Sequence, residues 1–342
     1  MTPTTRRDFL RRTATGGLVL LGAPTLLAAC GSDSSPAVGA GTTAAGSKAS
    51  KLSMQSAWVN DAEFTGYFVA LDKGYYAAEG ITLDYLPGGP DVIPESSLLG
   101  NKAPLALTLP DTTIKAIVDD GAPFVIIGTQ YQKNPLGVVS LAKNPINEPK
   151  DLIGRTLAVA PVATISVEAM LKASGIDKSK VKIVPYQYDP TPLLKGEIDA
   201  SVDFTTNVPY TIEQGGEKAV SFLMYDYGYT IYNDTVVVTK DELKSNRAAL
   251  VSWLRASRKG WEENFKDPAV YPPTFSDSFF KGTGRTTENE IFFNKAQKPL
   301  IEAPGGIFSM SEEGIDANLK ALADIGIKGT RKMFDTTLLE EI

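Results

Sequence analysis

The chain has no histidine at any of its 342 positions. That excludes Ser-His-Asp catalysis, histidine-ligated zinc and any imidazole proton shuttle. It has a single cysteine, Cys30, which excludes an intrachain disulfide and a thiolate cluster and leaves no cysteine nucleophile beyond that position. Long apolar runs are missing too. The stretch 13–29 is interrupted by Gly16, Gly17, Gly22 and Pro24, short of the ~20 apolar residues a spanning helix needs, and no later segment is longer. Arginine is scarce: after residue 29 it occurs only at 155, 247, 255, 258, 285 and 331. The whole chain carries −6, and Arg6, Arg7, Arg11 and Arg12 against Asp8 leave −9 for the remainder. An acidic domain with few arginines argues against a nucleic-acid partner. Together these absences move the expectation from enzyme toward binding protein, with no catalytic residue, metal or cofactor.

What is present begins with Cys30 itself. It ends the run Leu27-Ala28-Ala29-Cys30 behind an apolar stretch and an arginine cluster, an arrangement that looks like a bacterial lipoprotein signal. Small residues admit a signal peptidase, and a diacylglycerol on the cysteine would hold the chain at a membrane. Thr5-Arg6-Arg7-Asp8-Phe9-Leu10-Arg11 resembles a twin-arginine export signal. The expectation is a signal peptide over 1–29 and a lipid anchor on Cys30 at the extracytoplasmic face of the cell membrane. Residues 30–50 would then be a tether: Gly, Ser, Ala and Thr dominate 31–50. Such a segment buries too little apolar surface to order itself, and ~20 residues of flexible coil reach roughly 25 Å.

From Lys51 onward short apolar runs alternate with helical patterns, the mark of an α/β domain. Strands are expected at Leu52–Trp58, Ile81–Leu86, Leu105–Leu109 and Phe124–Gly128, with helices at Thr65–Glu79 and Thr112–Asp120. A second block repeats the logic, with strands at Thr156–Ala160, Val181–Tyr186, Ala200–Phe204 and Ala219–Met224, and helices at Ser166–Ala173 and Thr191–Lys195. Thr235–Thr239 is continuous and β-branched, as a buried strand would be. Helices at Ser245–Lys266, Thr287–Lys298 and Ser311–Gly326 follow. This much chain exceeds one comfortable core, so two α/β lobes are expected: 51–137 with 234–342, and 138–233. The chain would cross between them near Leu136–Ser140 and near Thr230–Thr235, leaving a cleft that hinge bending can close.

Gly66-Tyr67-Phe68-Val69-Ala70, Lys73-Gly74-Tyr75-Tyr76, Glu79-Gly80-Ile81, Asp151-Leu152-Ile153-Gly154-Arg155 and Leu194-Lys195-Gly196-Glu197-Ile198-Asp199-Ala200 occur in this order. In them the chain resembles the solute-binding proteins of ABC importers, and among these the family of thiamine-pyrimidine, sulfonate and nitrate binders. The resemblance implies a two-lobe periplasmic-binding-protein type II fold with a central ligand cleft and two hinge crossings. It also implies a small-molecule solute, an ABC permease with its ATPase as partners, and a monomer. The same family holds pyrimidine synthases, which by resemblance use a pocket histidine, iron and a cysteine-rich motif. None of these residue types is available here beyond Cys30.

Ligands of open α/β sheets lie beyond the carboxyl ends of the strands. That rule nominates Trp58, Asn60, Glu63 and Phe64 after the first strand, Asp111 after the third, and Gln130 and Tyr131 after the fourth. Asp111 reads equally as a helix N-cap, and Trp58 as a core indole. In the second block the rule points to Thr164, Tyr188 and Asn207, with Tyr227 and Tyr229 beside the second crossing. Asp203 reads as a satisfied carboxylate at a strand edge. These positions offer stacking faces, amides and carboxylates but no arginine. The inventory fits a flat nitrogen-bearing ring, of the aminopyrimidine or another vitamin type, better than a sulfonate, taurine or nitrate, which would favour Arg or converging N–H donors.

Overall fold

The structure is a computed structural model that describes residues 49–342. Cys30, the export signal and most of the expected tether lie outside the described residues.

Among the described residues, ten strands form two five-stranded sheets. The first contains β1 (Ser50–Gln55), β2 (Ile81–Leu86), β3 (Leu105–Thr108), β4 (Phe124–Tyr131) and β10 (Asn233–Thr239), in the order β2-β1-β3-β10-β4. The second contains β5 (Leu136–Leu141), β6 (Thr156–Val159), β7 (Lys182–Pro185), β8 (Ala200–Phe204) and β9 (Ala219–Leu223), in the order β7-β6-β8-β5-β9. The two sheets share one plan. Each has three parallel strands, β2-β1-β3 or β7-β6-β8, and then a strand antiparallel to both neighbours. That antiparallel strand is the one that has just arrived from the other lobe.

This topology moves the expected crossings. Leu136–Leu141 is not a connector; it is β5, buried along nearly all its length in the middle of the second sheet. Gly137 in it is required by packing: a Cβ would strike the Phe222 carbonyl and Thr205. The first crossing is residues 132–135, and the second runs from the end of β9 to Asn233, the start of β10. Asn134 joins them. Its amide donates to the Tyr232 carbonyl at 3.3 Å and its side-chain oxygen accepts from Leu136 N at 2.9 Å.

The helix expected over Thr65–Glu79 is two helices, Thr65–Asp72 and Tyr75–Ala78, broken where Gly74 takes the left-handed conformation at φ 68°. Besides Lys240–Ser245, which precedes the expected helix at 245–266, three helices were not anticipated: Pro94–Leu99, Val208–Gln214 and Tyr271–Phe275. All three carry proline in the first turn, where its fixed φ suits a helix and its missing N–H costs nothing. One side of the first sheet is covered by the helix Arg247–Lys266, which packs on Thr65–Asp72. The core there is aromatic, built on Tyr67, Phe68, Trp253, Trp261 and Phe308, all fully buried.

Candidate functional site

A cavity of about 450 Å³ lies between the lobes, within the size range of small-ligand sites. Its walls come from the carboxyl ends of the parallel strands of both sheets. Trp58, Asp61 and Glu63 follow β1, Thr108 and Leu109 end β3, and Val162 and Ala163 follow β6. Tyr188 follows β7, and Asp203, Phe204 and Asn207 close β8. Asn233 and Asp234 open β10, while Arg285 and Phe293 enter from the C-terminal helical region.

The first-lobe wall is acidic. Asp61 caps the short turn Ala62–Phe64, accepting from Glu63 N at 2.9 Å, and ion-pairs with Arg285. Glu290 accepts from Ala62 N at 2.7 Å and stands 4.0 Å from Arg285. Glu63 and Asp234 are neighbouring carboxyls, each acting on the other's proton affinity. Burial pushes Glu63 well above the usual carboxylate range, and the Asp234 charge adds to it. Burial likewise lifts Asp234 to about 7, and Glu290 to about 7. Asp61 is also raised, because burial outweighs the attraction of Arg285. Asp234 sits at φ 48°, a left-handed backbone unusual for a non-glycine residue.

Opposite, in the second lobe, Asp203 is buried, accepts from the Ser201 hydroxyl at 2.5 Å and lies near Tyr186, and burial lifts it to about 7. At the rim the lobes touch: the Trp58 and Tyr188 rings meet edge to face, centroids 5.1 Å apart. Tyr188 also has a positive φ, 59°.

Of the residues nominated from sequence, Trp58, Glu63, Tyr188 and Asn207 line this cavity. The others do not reach it. Phe64 points into the first-lobe core, because the turn at Ala62–Phe64 sends adjacent side chains to opposite sides. Tyr131 is buried with its hydroxyl on Gln297 at 2.6 Å, and Gln130 is spent on the Glu63 carbonyl at 2.8 Å. Asn60 holds a buried, unpartnered Oδ1 beside Asp61 without lining the cavity. Thr164 is exposed at a helix start, and Tyr227 packs on Phe222 at 5.0 Å. Asp111 and Tyr229 bond each other across the lobes at 3.0 Å. Asp111 is not the N-cap either: Leu109 holds that position and Pro110 opens the helix. The expectation that no arginine reaches the site is corrected by Arg285. Asp61, Asp234 and Phe293 were not anticipated. Asp203, read as a strand-edge carboxylate, belongs to the cavity wall.

The raised carboxyls give a stability prediction. Asp203, Asp234 and Glu290 bind protons more tightly folded than unfolded. Their stabilising contribution is therefore complete below their ordinary range near pH 4 and is lost as pH rises through about 7. Ligand-free protein should lose on the order of 1–3 kcal/mol between about pH 5 and about pH 8. Urea midpoints at the two pH values measure this; a flat or rising profile would contradict it.

The family model described as NMT1/THI5 like matches residues 61–270. A formylaminopyrimidine-binding protein from Halalkalibacterium halodurans is 26% identical over 216 residues, covering 62% of this chain and 65% of that protein, just under two thirds of its length. A riboflavin-binding protein, RibY, from Chloroflexus aurantiacus is 23% identical over 270 residues, 76% of this chain and 75% of that one. Among solved structures, the alkanesulfonate-binding protein SsuA from Xanthomonas axonopodis pv. citri, bound to MOPS, superposes with a TM-score of 0.63 at 13% identity. That superposition covers 86% of this chain and 100% of SsuA. This likeness establishes the periplasmic-binding-protein fold.

Proposed function

Since this chain belongs to the NMT1/THI5-like family, we propose that it is the solute-binding component of an ABC importer, capturing a small nitrogen-bearing aromatic ring between its lobes. The observation that carries the ligand class is the charge of the cavity. Carboxyl groups line it from both lobes, and Arg285, the one lining cation among the described residues, is already engaged by Asp61. An aminopyrimidine presents an amino donor beside a ring-nitrogen acceptor. The Glu63 and Asp234 carboxyls, both displaced toward the protonated form by burial, offer donor and acceptor oxygens side by side. The named relatives that bind formylaminopyrimidine and riboflavin agree with a flat nitrogen heterocycle.

Capture rather than chemistry is the role, because the chain has neither histidine nor a cysteine cluster with which to run a synthase reaction. Arg285 favours a second reading, a sulfonate or nitrate ligand, as in the structural neighbour that binds MOPS. That reading is weaker, since an anion would have to displace Asp61 from Arg285 and approach several further carboxyls. In the cycle we propose, the open cleft admits the ring, Trp58 and Tyr188 close over it, and the two crossings bend as hinges. The ligand must bind the closed state better than the open one for this to happen. The closed form then docks on a permease, with the lipid on Cys30 holding the protein at the extracytoplasmic face.

The test is a thermal-shift panel of an aminopyrimidine precursor, thiamine, riboflavin, taurine, an alkylsulfonate and nitrate. A ligand at ~100 times its dissociation constant should add about 2.7 kcal/mol. Stabilisation by the anions alone would replace the heterocycle reading with the second one. With the stabilising ring in hand, Trp58→Ala should weaken it by ~1–3 kcal/mol, roughly 5- to 150-fold, through lost stacking and apolar contact. Calorimetric titration reads the loss, and unchanged affinity in a folded variant removes Trp58 from the site.

A further inference from the structure

We propose that the cavity selects for positive charge, so that the solute is a protonated or quaternised aromatic nitrogen heterocycle, and that closure of the lobes depends on that charge. The inference rests on the heterocycle reading above and narrows it. Four carboxyl residues of the first lobe, Asp61, Glu63, Glu95 and Asp234, share one cavity with Asp203 of the second. Among the described residues, no lysine or arginine forms an ion pair with Glu63, Asp203 or Asp234. Arg285, the cation in the wall, faces Asp61 and Glu290, so it is outnumbered before any ligand arrives.

Independent of charge, the wall has acceptors that lack donors. The Asn207 side-chain oxygen, on a residue only 9% exposed, has no hydrogen-bond partner, and Asp234 Oδ2 meets no N–H or hydroxyl donor. Buried acceptors are normally satisfied, so the missing partner is a molecule rich in N–H groups. The rim adds the Trp58 and Tyr188 rings, whose faces attract a cation once water is excluded.

The two-lobe plan turns this composition into a gate. With the lobes apart, Asp203 and the first-lobe carboxyls are separately solvated. Closing them around one cavity places like charges in a poorly polarisable space, which opposes closure. A neutral ring leaves that opposition standing, and an anion adds to it. A cation removes it, and so binds the closed state better than the open one, which is the condition for driving the change. Burial alone lifts Asp203 to about 7, and burial with the nearby Asp61 charge lifts Asp234 to about 7.

The experiment compares two rings of one shape by calorimetric titration at about pH 7.5. 4-Amino-2-methylpyridine carries a proton at that pH, whereas 4-amino-2-methylpyrimidine is neutral. We expect the pyridinium to bind at least about tenfold more tightly, and Asp203→Asn to shrink that ratio toward one by weakening the cation alone. Equal affinities, tighter binding of the neutral ring, or no binding of either in the native protein overturn the inference whether or not the variant folds. Tetramethylammonium and riboflavin separate it from the reading beneath. Binding of tetramethylammonium with no ring bound keeps the cation and sinks the heterocycle, whereas riboflavin binding as tightly as the pyridinium keeps the heterocycle and sinks the cation.

Discussion

Replacing Arg285 with alanine should remove about 3–5 kcal/mol of folding stability at neutral pH, more than any exposed ion pair of this protein could. Asp61 is wholly buried, and its side chain meets one cation, the half-buried Arg285 guanidinium. Without it Asp61 keeps the Glu63 amide bond, which does not offset an unpaired charge beside Glu290, itself 2% exposed. The penalty should depend on pH in a determined direction. Asp61 is already raised by burial, and loss of the guanidinium raises it further. In the variant the folded state therefore holds a proton that the unfolded state gives up, so the deficit is smallest in acid and grows as pH rises. Urea denaturation at about pH 5 and about pH 7.5 measures both features. A neutral-pH loss below about 1 kcal/mol would mean water reaches Asp61. Asp61→Asn in the same chain should recover part of the loss, because it removes the charge left behind.

The reason this pair could not be read from the sequence is distance along the chain. Arg285 follows Gly282-Thr283-Gly284 more than two hundred residues after Asp61, in a segment whose glycines carry no periodicity. Asp234 was hidden differently: it opens β10 at a left-handed φ, and only the tertiary fold aims it at Glu63. What was legible followed from one rule. Trp58, Tyr188 and Asn207 come just after the ends of β1, β7 and β8, and strand ends show in the change from apolar runs to turn residues. The rule failed wherever backbone direction, not proximity, decides the outcome. Phe64 is adjacent to Glu63 yet faces the core, and Tyr131 continues β4 beyond the expected end at Gly128. The lobe plan was legible because strands and helices alternate throughout. The exact crossings were not, since the sequence of the buried strand Leu136–Leu141 does not mark which sheet it joins.

Trp261→Ala should be the costliest single truncation in the first lobe, about 3–5 kcal/mol. Its indole is fully buried, 5.8 Å from the Tyr67 ring and 5.2 Å from Phe265. It also fills the groove where the helix Arg247–Lys266 crosses Thr65–Asp72. Two glycines permit that crossing: a Cβ on Gly66 would overlap the Trp261 ring, and one on Gly260 would overlap the Gly66 carbonyl and crowd Ala70. Gly66→Ala alone should therefore cost at least ~1–3 kcal/mol through overpacking. In a Trp261→Ala background the same change should cost much less, because the ring it would strike is gone. A double-mutant cycle in urea reads this coupling directly, and additive losses would show that Gly66 is required for some reason other than the indole. The consequence extends to ligand capture. Thr65–Asp72 continues directly from the turn that carries Asp61 and Glu63, so the seat of this helix on Trp261 sets where the acidic wall stands. A folded Trp261→Ala variant should accordingly bind its ring more weakly than native protein, although residue 261 is buried in the core and lines no part of the cavity.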